Sequence, residues 1–332
     1  MTFSPPQRDI LEITADQELF QHFEDSRILV SGATGFVGTW LSQSLLHANS
    51  KFKLGLQVFQ LSRNGSPIKN SKDSYCIKHD IRLPLPSDLP DFDYVFHTAT
   101  PSQPATGGID TKLVYETSVL GTKNLLVHLS NQKTNPVFLH TSSGAVDRLN
   151  ALVTESDLQE TYRKGKEAAE KLVEDFSNQG DVIGANPRLY TFAGPGIATD
   201  AHFVAGQFMR SALSGDPLIV LGNANTKRSY MYPTDLTSWI FEISRSPTLE
   251  KIRIGNPNAI TISELASLVT SVVDFEDKTY SGDESVPENY YVPDLTETLD
   301  KFPLKVKVST RESFERWKSY LLEISNHGGV DR

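Results

Sequence analysis

A doubly wound α/β fold built on a parallel sheet is predicted by three features of this sequence. Short apolar runs alternate with longer amphipathic stretches from Ile28 to Ala185. The heptapeptide Gly32-Ala33-Thr34-Gly35-Phe36-Val37-Gly38 joins the first run to the first such stretch. The chain has 332 residues, enough for one large α/β domain or for such a domain with a smaller lobe. Strand–helix alternation of this kind implies βαβ units with parallel strands.

Residues 1–25 precede the first strand. Pro5-Pro6 is followed by a polar–apolar pattern from Ile10 to Phe23, which predicts an appended helix covering the sheet or a dimer edge. Strands are predicted at Ile28–Val30, Gln57–Leu61, Tyr94–His97, Val137–His140 and Val182–Ala185. Helices are predicted between them at Trp40–His47, Leu113–Leu129 and Tyr162–Ser177. After Gly194-Pro195-Gly196 the rhythm changes. Phe203–Leu213 reads as a helix, Leu218–Leu221 as a short strand, and Ile252–Ile254 as a late strand. Met231–Ile243 reads as a return to the main domain. A helix starts near Thr261–Glu264, capped by Ser263 or Thr261. Asp283–Pro293 is an acidic loop.

The glycine heptapeptide has a strand before it and a helix after it, the context that gives such a motif meaning. Gly32 can take a conformation that side chains forbid. Gly35 lets the main chain approach a pyrophosphate, and Gly38 lets helix and strand pack closely. The phosphates of a dinucleotide then meet unpaired N–H groups at the helix N-terminus.

Composition excludes several classes. A net charge of −9 argues against a nucleic-acid partner. The lone cysteine, Cys76, permits no intrachain disulfide and points to a reducing compartment. No apolar stretch is long enough for a membrane span, and Met1–Pro6 has no signal-peptide pattern. These readings make the protein cytoplasmic. Asn64-Gly65-Ser66 fits a glycosylation sequon and reads here as a turn. There is no metal motif and no Walker lysine, so no metal is expected. His97 and His202 read as structural.

Of the eleven tyrosines only Tyr162 has a lysine four positions on, Lys166. That spacing puts both on one helix face. A nearby ammonium favours tyrosinate, and lowering a phenol by about three pKa units takes roughly 4 kcal/mol.

Taken together, several segments resemble the extended short-chain dehydrogenases/reductases. The glycine spacing is one. Val95-Phe96-His97-Thr98-Ala99-Thr100 is similar to the strand-4 signature, and Thr141-Ser142-Ser143-Gly144-Ala145-Val146 to the strand-5 serine motif. Tyr162-Arg163-Lys164-Gly165-Lys166 matches the tyrosine–lysine motif. Arg188 through Gly194-Pro195-Gly196 and Arg228-Ser229-Tyr230 resemble segments of the nucleotide-sugar epimerase/dehydratase family. The resemblance runs over nearly the whole chain.

It implies a Rossmann domain at 26–191 and about 232–257, behind an N-terminal extension at 1–25. A nucleotide-sugar lobe would take 192–231 and 258–332. It also implies roles. Tyr162 would transfer the proton, and Lys166 would bind the nicotinamide ribose and, with the positive nicotinamide ring, favour tyrosinate. Ser143 would polarise the reacting oxygen, although Thr141 and Ser142 stand beside it. Gly32, Thr34, Gly35, Phe36, Val37, Gly38, Thr98, Ala99 and Thr100 would hold the dinucleotide, with Asp80 and Ile81 at adenine. Arg228, able to clamp phosphate oxygens with two bonds, and Tyr230 would hold the substrate. The expected partner is a nucleotide-diphosphate sugar. The family's dimer implies a homodimer through Leu113–Leu129 and Tyr162–Ser177, with Leu113, Leu120, Leu125 and Leu172 as the buried stripe.

Departures from the family pattern narrow the chemistry. Gly144 and Ala145 stand where dehydratases carry an Asp–Glu pair, and decarboxylases carry a glutamate in place of Ala145. Asp147 replaces a tyrosine, and Ser118 an asparagine. The tilt is towards 4-epimerisation or reduction of a 4-keto sugar. Dehydration or decarboxylation, with Glu155 or Asp157 as substitute acids, is one alternative. A reductase of small carbonyl compounds and a cofactor-sensing protein without turnover are others. At the end of strand 2, Ser62 replaces the acid that binds an NAD ribose, and Arg63 can face a 2′-phosphate or stack on adenine. NADP is the expected cofactor, with NAD as the alternative.

Overall fold

The computed structural model describes residues 3–65, 72–100, 110–148, 156–199, 203–220, 222–275, 278–280 and 287–327. In chain order the elements are α1 (Gln7–Ile13), α2 (Glu18–Gln21), β1 (Arg27–Ser31), α3 (Phe36–Phe52), β2 (Gln57–Ser62), β3 (Ser74–Lys78), β4 (Tyr94–His97) and α4 (Thr111–Leu129). There follow β5 (Val137–His140), β6 (Ser142–Ser143), a 3₁₀ turn (Gly144–Asp147), α5 (Asp157–Gln179), β7 (Ile183–Ala185) and β8 (Arg188–Leu189). The rest are α6 (Val204–Ser214), β9 (Leu218–Val220), β10 (Lys227–Arg228), α7 (Pro233–Arg245), β11 (Arg253–Ile254), β12 (Ile260–Thr261), α8 (Ile262–Val273), β13 (Lys278–Tyr280), β14 (Tyr290–Tyr291), α9 (Thr296–Lys301) and α10 (Thr310–His327).

Six parallel strands form the main sheet in the order β3-β2-β1-β4-β5-β7. Leu29 of β1 lies between Phe59 of β2 and Val95 of β4. Ile28, Leu29 and Val30 are all fully buried, as strands covered on both faces must be. One face packs Trp40, Leu45, Phe96, Trp239 and Phe241. The other packs Leu29, Val95, Leu125, Phe138 and Val173. A separate core joins Phe208, Met209, Leu265, Val269, Phe314 and Trp317.

The sheet differs from the sequence expectation at its edge. β3 was not predicted, because its residues are partly or fully exposed and carry no apolar run. The predicted helices lengthen at their ends. Two of them are closed by capping boxes, Ser156 with Gln159 on α5 and Thr261 with Glu264 on α8. The N-terminal extension covers the sheet: Phe20 and Phe23 are fully buried, with Phe23 edge-on to Tyr94 and Phe96.

The leucine stripe expected for a dimer needs correction. Leu125 is fully buried in its own subunit's core, so it cannot face a partner. The exposed apolar residues of α4 are Tyr115, Leu120 and Val127.

Two glycines set the entrance to α3. Gly32 has φ +72°, and a Cβ there would lie 2.7 Å from the Ala99 nitrogen. A Cβ on Gly38 would collide with the Gly32 carbonyl oxygen. Backbone on both sides leaves no side chain to yield. Gly38→Ala should therefore push α3 off β1 and cost about 1–3 kcal/mol. Thermal unfolding checks this: an unchanged midpoint would show that the contact relaxes freely.

Candidate active site

Parallel strands end at a common edge, and there the predicted residues gather. Gly32, Thr34, Gly35, Ser62, Arg63, Asp80, Ile81, Thr98, Ala99 and Thr100 line one cavity, together with Leu61, His79 and Thr117. Thr98 turns the backbone by donating its hydroxyl to the Ser31 carbonyl at 2.7 Å. Ser62 donates to the Gly65 carbonyl at 2.6 Å, closing the turn after β2. Arg63 is exposed at that turn. Asp80 is gripped by Arg82 at 2.6 Å, and these hydrogen bonds hold its carboxyl well below the usual range. Phe36, Val37 and Gly38 lie behind the cavity rather than on its wall: Phe36 meets the Phe192 ring, and Val37 packs into the core. The side-chain-free cradle at Gly32 and the cavity beside it fit a dinucleotide.

The reacting end is built on β6 and α5. Ser143 is the N-cap of the 3₁₀ turn, and its Oγ accepts from the Ala145 N–H at 3.2 Å. The same hydroxyl is hydrogen-bonded by Tyr162 and by Tyr291. Lys166, one turn after Tyr162, is buried and donates to the Thr141 carbonyl at 2.6 Å. Burial pulls its ammonium down to about 7, with Glu170 opposing. Burial also pushes the Tyr162 phenol up and outweighs the lowering by its hydrogen bond with Ser143. The expectation of a tyrosinate therefore depends on a further positive charge beside the ring.

Behind Ser143 lies a cluster that the sequence reading missed. Asp147 accepts from Arg188 at 2.7 Å, from Arg253 at 2.9 Å and from the Tyr190 hydroxyl at 2.7 Å. Arg188 also grips Glu170 at 2.6 Å, and Ser142 donates to Glu170 at 2.5 Å. Asp147 is thus a tether where the family pattern has tyrosine. Its departure from that pattern was the only sign of it in the sequence.

Gly144 has a structural reason as well. A Cβ there would lie 2.7 Å from the Tyr190 ring, so Tyr190 fills the space a longer side chain would need. Ala145 is partly exposed. Asp157 lies exposed in the first turn of α5. Glu155 and His202 fall outside the described residues. His97 is buried and tied to Ser31 at 2.7 Å and Thr122 at 2.9 Å.

Arg228 and Tyr230 sit on and beside β10. Arg228 donates to the Asn289 carbonyl and side chain at 3.4 and 3.2 Å and lies 5.7 Å from the Tyr291 ring centroid. It is half-buried and held in place, with burial lowering its pKa from the ordinary arginine value. β10 pairs in parallel with β14, placing Arg228 opposite Tyr291. Tyr230 is buried, edge-on to Phe314 in the lobe core, and its hydroxyl has no partner among the described residues. Tyr291 was not predicted; its two-residue strand carries no pattern of its own. Among the described residues no group of three His, Cys, Asp or Glu is placed to hold a metal ion.

Replacing Asp147 by Ala would leave half-buried Arg188 and Arg253 without their shared carboxylate, with only Glu170 and Glu297 still beside them. Removing one partner of a buried ion cluster costs about 3–5 kcal/mol. Chemical unfolding of Asp147→Ala measures this, and a loss below about 1 kcal/mol would mean that water replaces the carboxylate.

Known proteins share this fold and parts of this sequence. The chain is similar to UDP-glucuronic acid decarboxylase 4 of Arabidopsis thaliana, 26% identical over 299 residues; the match covers 86% of this chain and 66% of that protein, just under two thirds. Its fold is shared with UDP-glucuronic acid 4-epimerase of Bacillus cereus, solved with UDP-glucuronic acid and NAD (TM-score 0.75, 20% identity, 90% of this chain and 99% of that one). It is shared also with UDP-N-acetylglucosamine 4-epimerase of Methanobrevibacter ruminantium M1 (TM-score 0.77, 17% identity, 91% and 99%). The model of the NAD dependent epimerase/dehydratase family matches residues 28–255, and the chain belongs to that family.

Proposed function

We propose that this chain is a nicotinamide-dependent enzyme that transfers hydride at a sugar carbon, C4, of a nucleotide-diphosphate sugar. The observation that carries the reading is the meeting of Tyr162 and Ser143, with Lys166 one helical turn away, at the strand edge beside the dinucleotide cavity. The nicotinamide, when bound, takes up or returns hydride. Tyr162 removes or supplies the hydroxyl proton, Ser143 orients the reacting oxygen by hydrogen bonding, and Lys166 contributes positive charge. Arg228 supplies a cation for the diphosphate. Tyr162→Phe keeps the ring and removes the proton shuttle. Turnover should fall by roughly 100-fold or more, with cofactor affinity kept. Near-normal turnover in the folded variant would reject the assignment.

Decarboxylation is the second reading, favoured by the names of the plant relatives. Against it, and against dehydration, Gly144 and Ala145 can exchange no proton, and Tyr190 occupies the space beside Gly144. A general acid or base contributes roughly 100- to 10,000-fold. UDP-, dTDP-, GDP- and CDP-hexoses should therefore undergo C4 epimerisation or ketone reduction without loss of water, and UDP-glucuronic acid should not lose carbon dioxide. Mass spectrometry of the products distinguishes these outcomes, and rapid release of either molecule would move the assignment.

The cofactor is proposed to be NADP. No carboxylate ends β2, and exposed Arg63 is available to a 2′-phosphate. NADPH should bind more tightly than NADH, and Arg63→Ala should erase the difference. Tighter NADH binding, untouched by that change, would instead assign NAD. The assembly is proposed to be a cytoplasmic homodimer with Tyr115, Leu120 and Val127 of α4 at its interface.

A further inference from the structure

The buried end of Lys166 faces a histidine that the reaction as described does not use. His140, the last residue of β5, is fully buried, and its Nε2 lies 3.4 Å from Lys166 Nζ. Its Nδ1 lies 3.0 Å from Asn186 Oδ1. Asn186, just after β7, uses its amide nitrogen to donate to the Glu170 carbonyl at 3.3 Å. We propose that Asn186 and His140 form a tautomer lock that makes His140 a positioning residue for Lys166.

The Asn186 amide sets the direction of one bond, and the protonated form of Lys166 matches it at the other. A lysine ammonium carries three donors and no acceptor. Facing one, His140 Nε2 must present its lone pair, so the ring proton sits on Nδ1. That proton needs an acceptor, and the Asn186 carbonyl oxygen supplies it. The amide is held in this orientation because its nitrogen already serves the Glu170 carbonyl. The opposite tautomer would turn an N–H towards Lys166 and require the amide to flip away from Glu170.

The lock acts on the catalytic pair. Thr141 and His140 take two of the three lysine donors and leave one for the ligand side. A charge-assisted hydrogen bond favours the protonated amine. The groups facing this pair are His97 from β4, 5.5 Å ring to ring from His140, Glu170 from α5, and Asn186. Burial pulls both imidazoles towards the neutral form, which the lock requires. With the acceptor removed, Lys166 loses its proton more readily, and Tyr162, one turn before it on α5, loses that positive charge. The Tyr162 phenol must then titrate at higher pH.

This inference rests on the proposed roles of Tyr162 and Lys166, and its test needs no sugar substrate. The protein would be saturated with its nicotinamide dinucleotide in oxidised form. Nitrogen-15 NMR of labelled histidine should show His140 neutral and protonated on Nδ1 from pH 6 to 9. Absorbance titration at 295 nm, with Tyr162→Phe as blank, should show phenolate forming about one pH unit or more later in His140→Leu. His140→Gln, which keeps a donor and an acceptor, should restore most of the original value. Asn186→Leu should release the tautomer without removing the ring. A proton on Nε2, a charged imidazole at pH 7, or equal Tyr162 titration in the leucine variant would overturn the proposal. Failure to turn over any nucleotide sugar, with these signatures intact, would count against the function and not against the lock.

Discussion

Asp147 is the constraint on which the site depends. It is a carboxylate with 3% side-chain exposure, and two arginines and a phenol converge on it. One arginine comes from β8 and the other from β11, strands that pair in parallel beside β6. The aspartate ends the turn that Ser143 begins. The Ser143 hydroxyl is therefore fixed by charges drawn from its own turn and from two separate strands. The cluster is closed by Glu170 of α5, so the helix carrying Tyr162 and Lys166 is anchored to the same set. A buried charge is expensive without partners. Here the partners also align the two halves of a reacting site.

The parallel sheet was legible because its central strands are apolar on both faces, and a run such as Ile28-Leu29-Val30 has few other fates. The glycine turn was legible because backbone meets backbone there, and only glycine allows that approach. β3 was not legible: an edge strand with residues open to solvent, such as Tyr75 and Cys76, carries no such run. Tyr162 and Lys166 could be read from spacing alone, since one helical turn joins them.

What escaped the sequence was contact across long separations. Asp147 looked like a departure from a pattern until Arg188 and Arg253, 41 and 106 positions away, closed on it. Tyr291 reaches Ser143 only because β14 lies beside β10, and neither strand exceeds two residues. The Tyr162 phenol is raised by burial for a related reason. A motif displays the neighbouring lysine but not the depth at which both groups are buried.

The first helix joins distant parts of the chain. Asp9 of α1 is fully buried and accepts from the Tyr232 hydroxyl at 2.6 Å and from Arg316 of α10 at 3.3 Å. The guanidinium also lies 5.2 Å from the centroid of the Tyr232 ring. Exchanging Asp9 would strand the Tyr232 hydroxyl and take one of three carboxylates from Arg316, which also grips Glu12 and Glu312. Evolutionary drift at positions 9, 232 and 316 should therefore be concerted, and a statistical signal of covariation should link position 9 to positions 232 and 316. A recombinant made by joining the amino-terminal part of one homologue to the remainder of another would inherit a mismatch there, remote from any ligand.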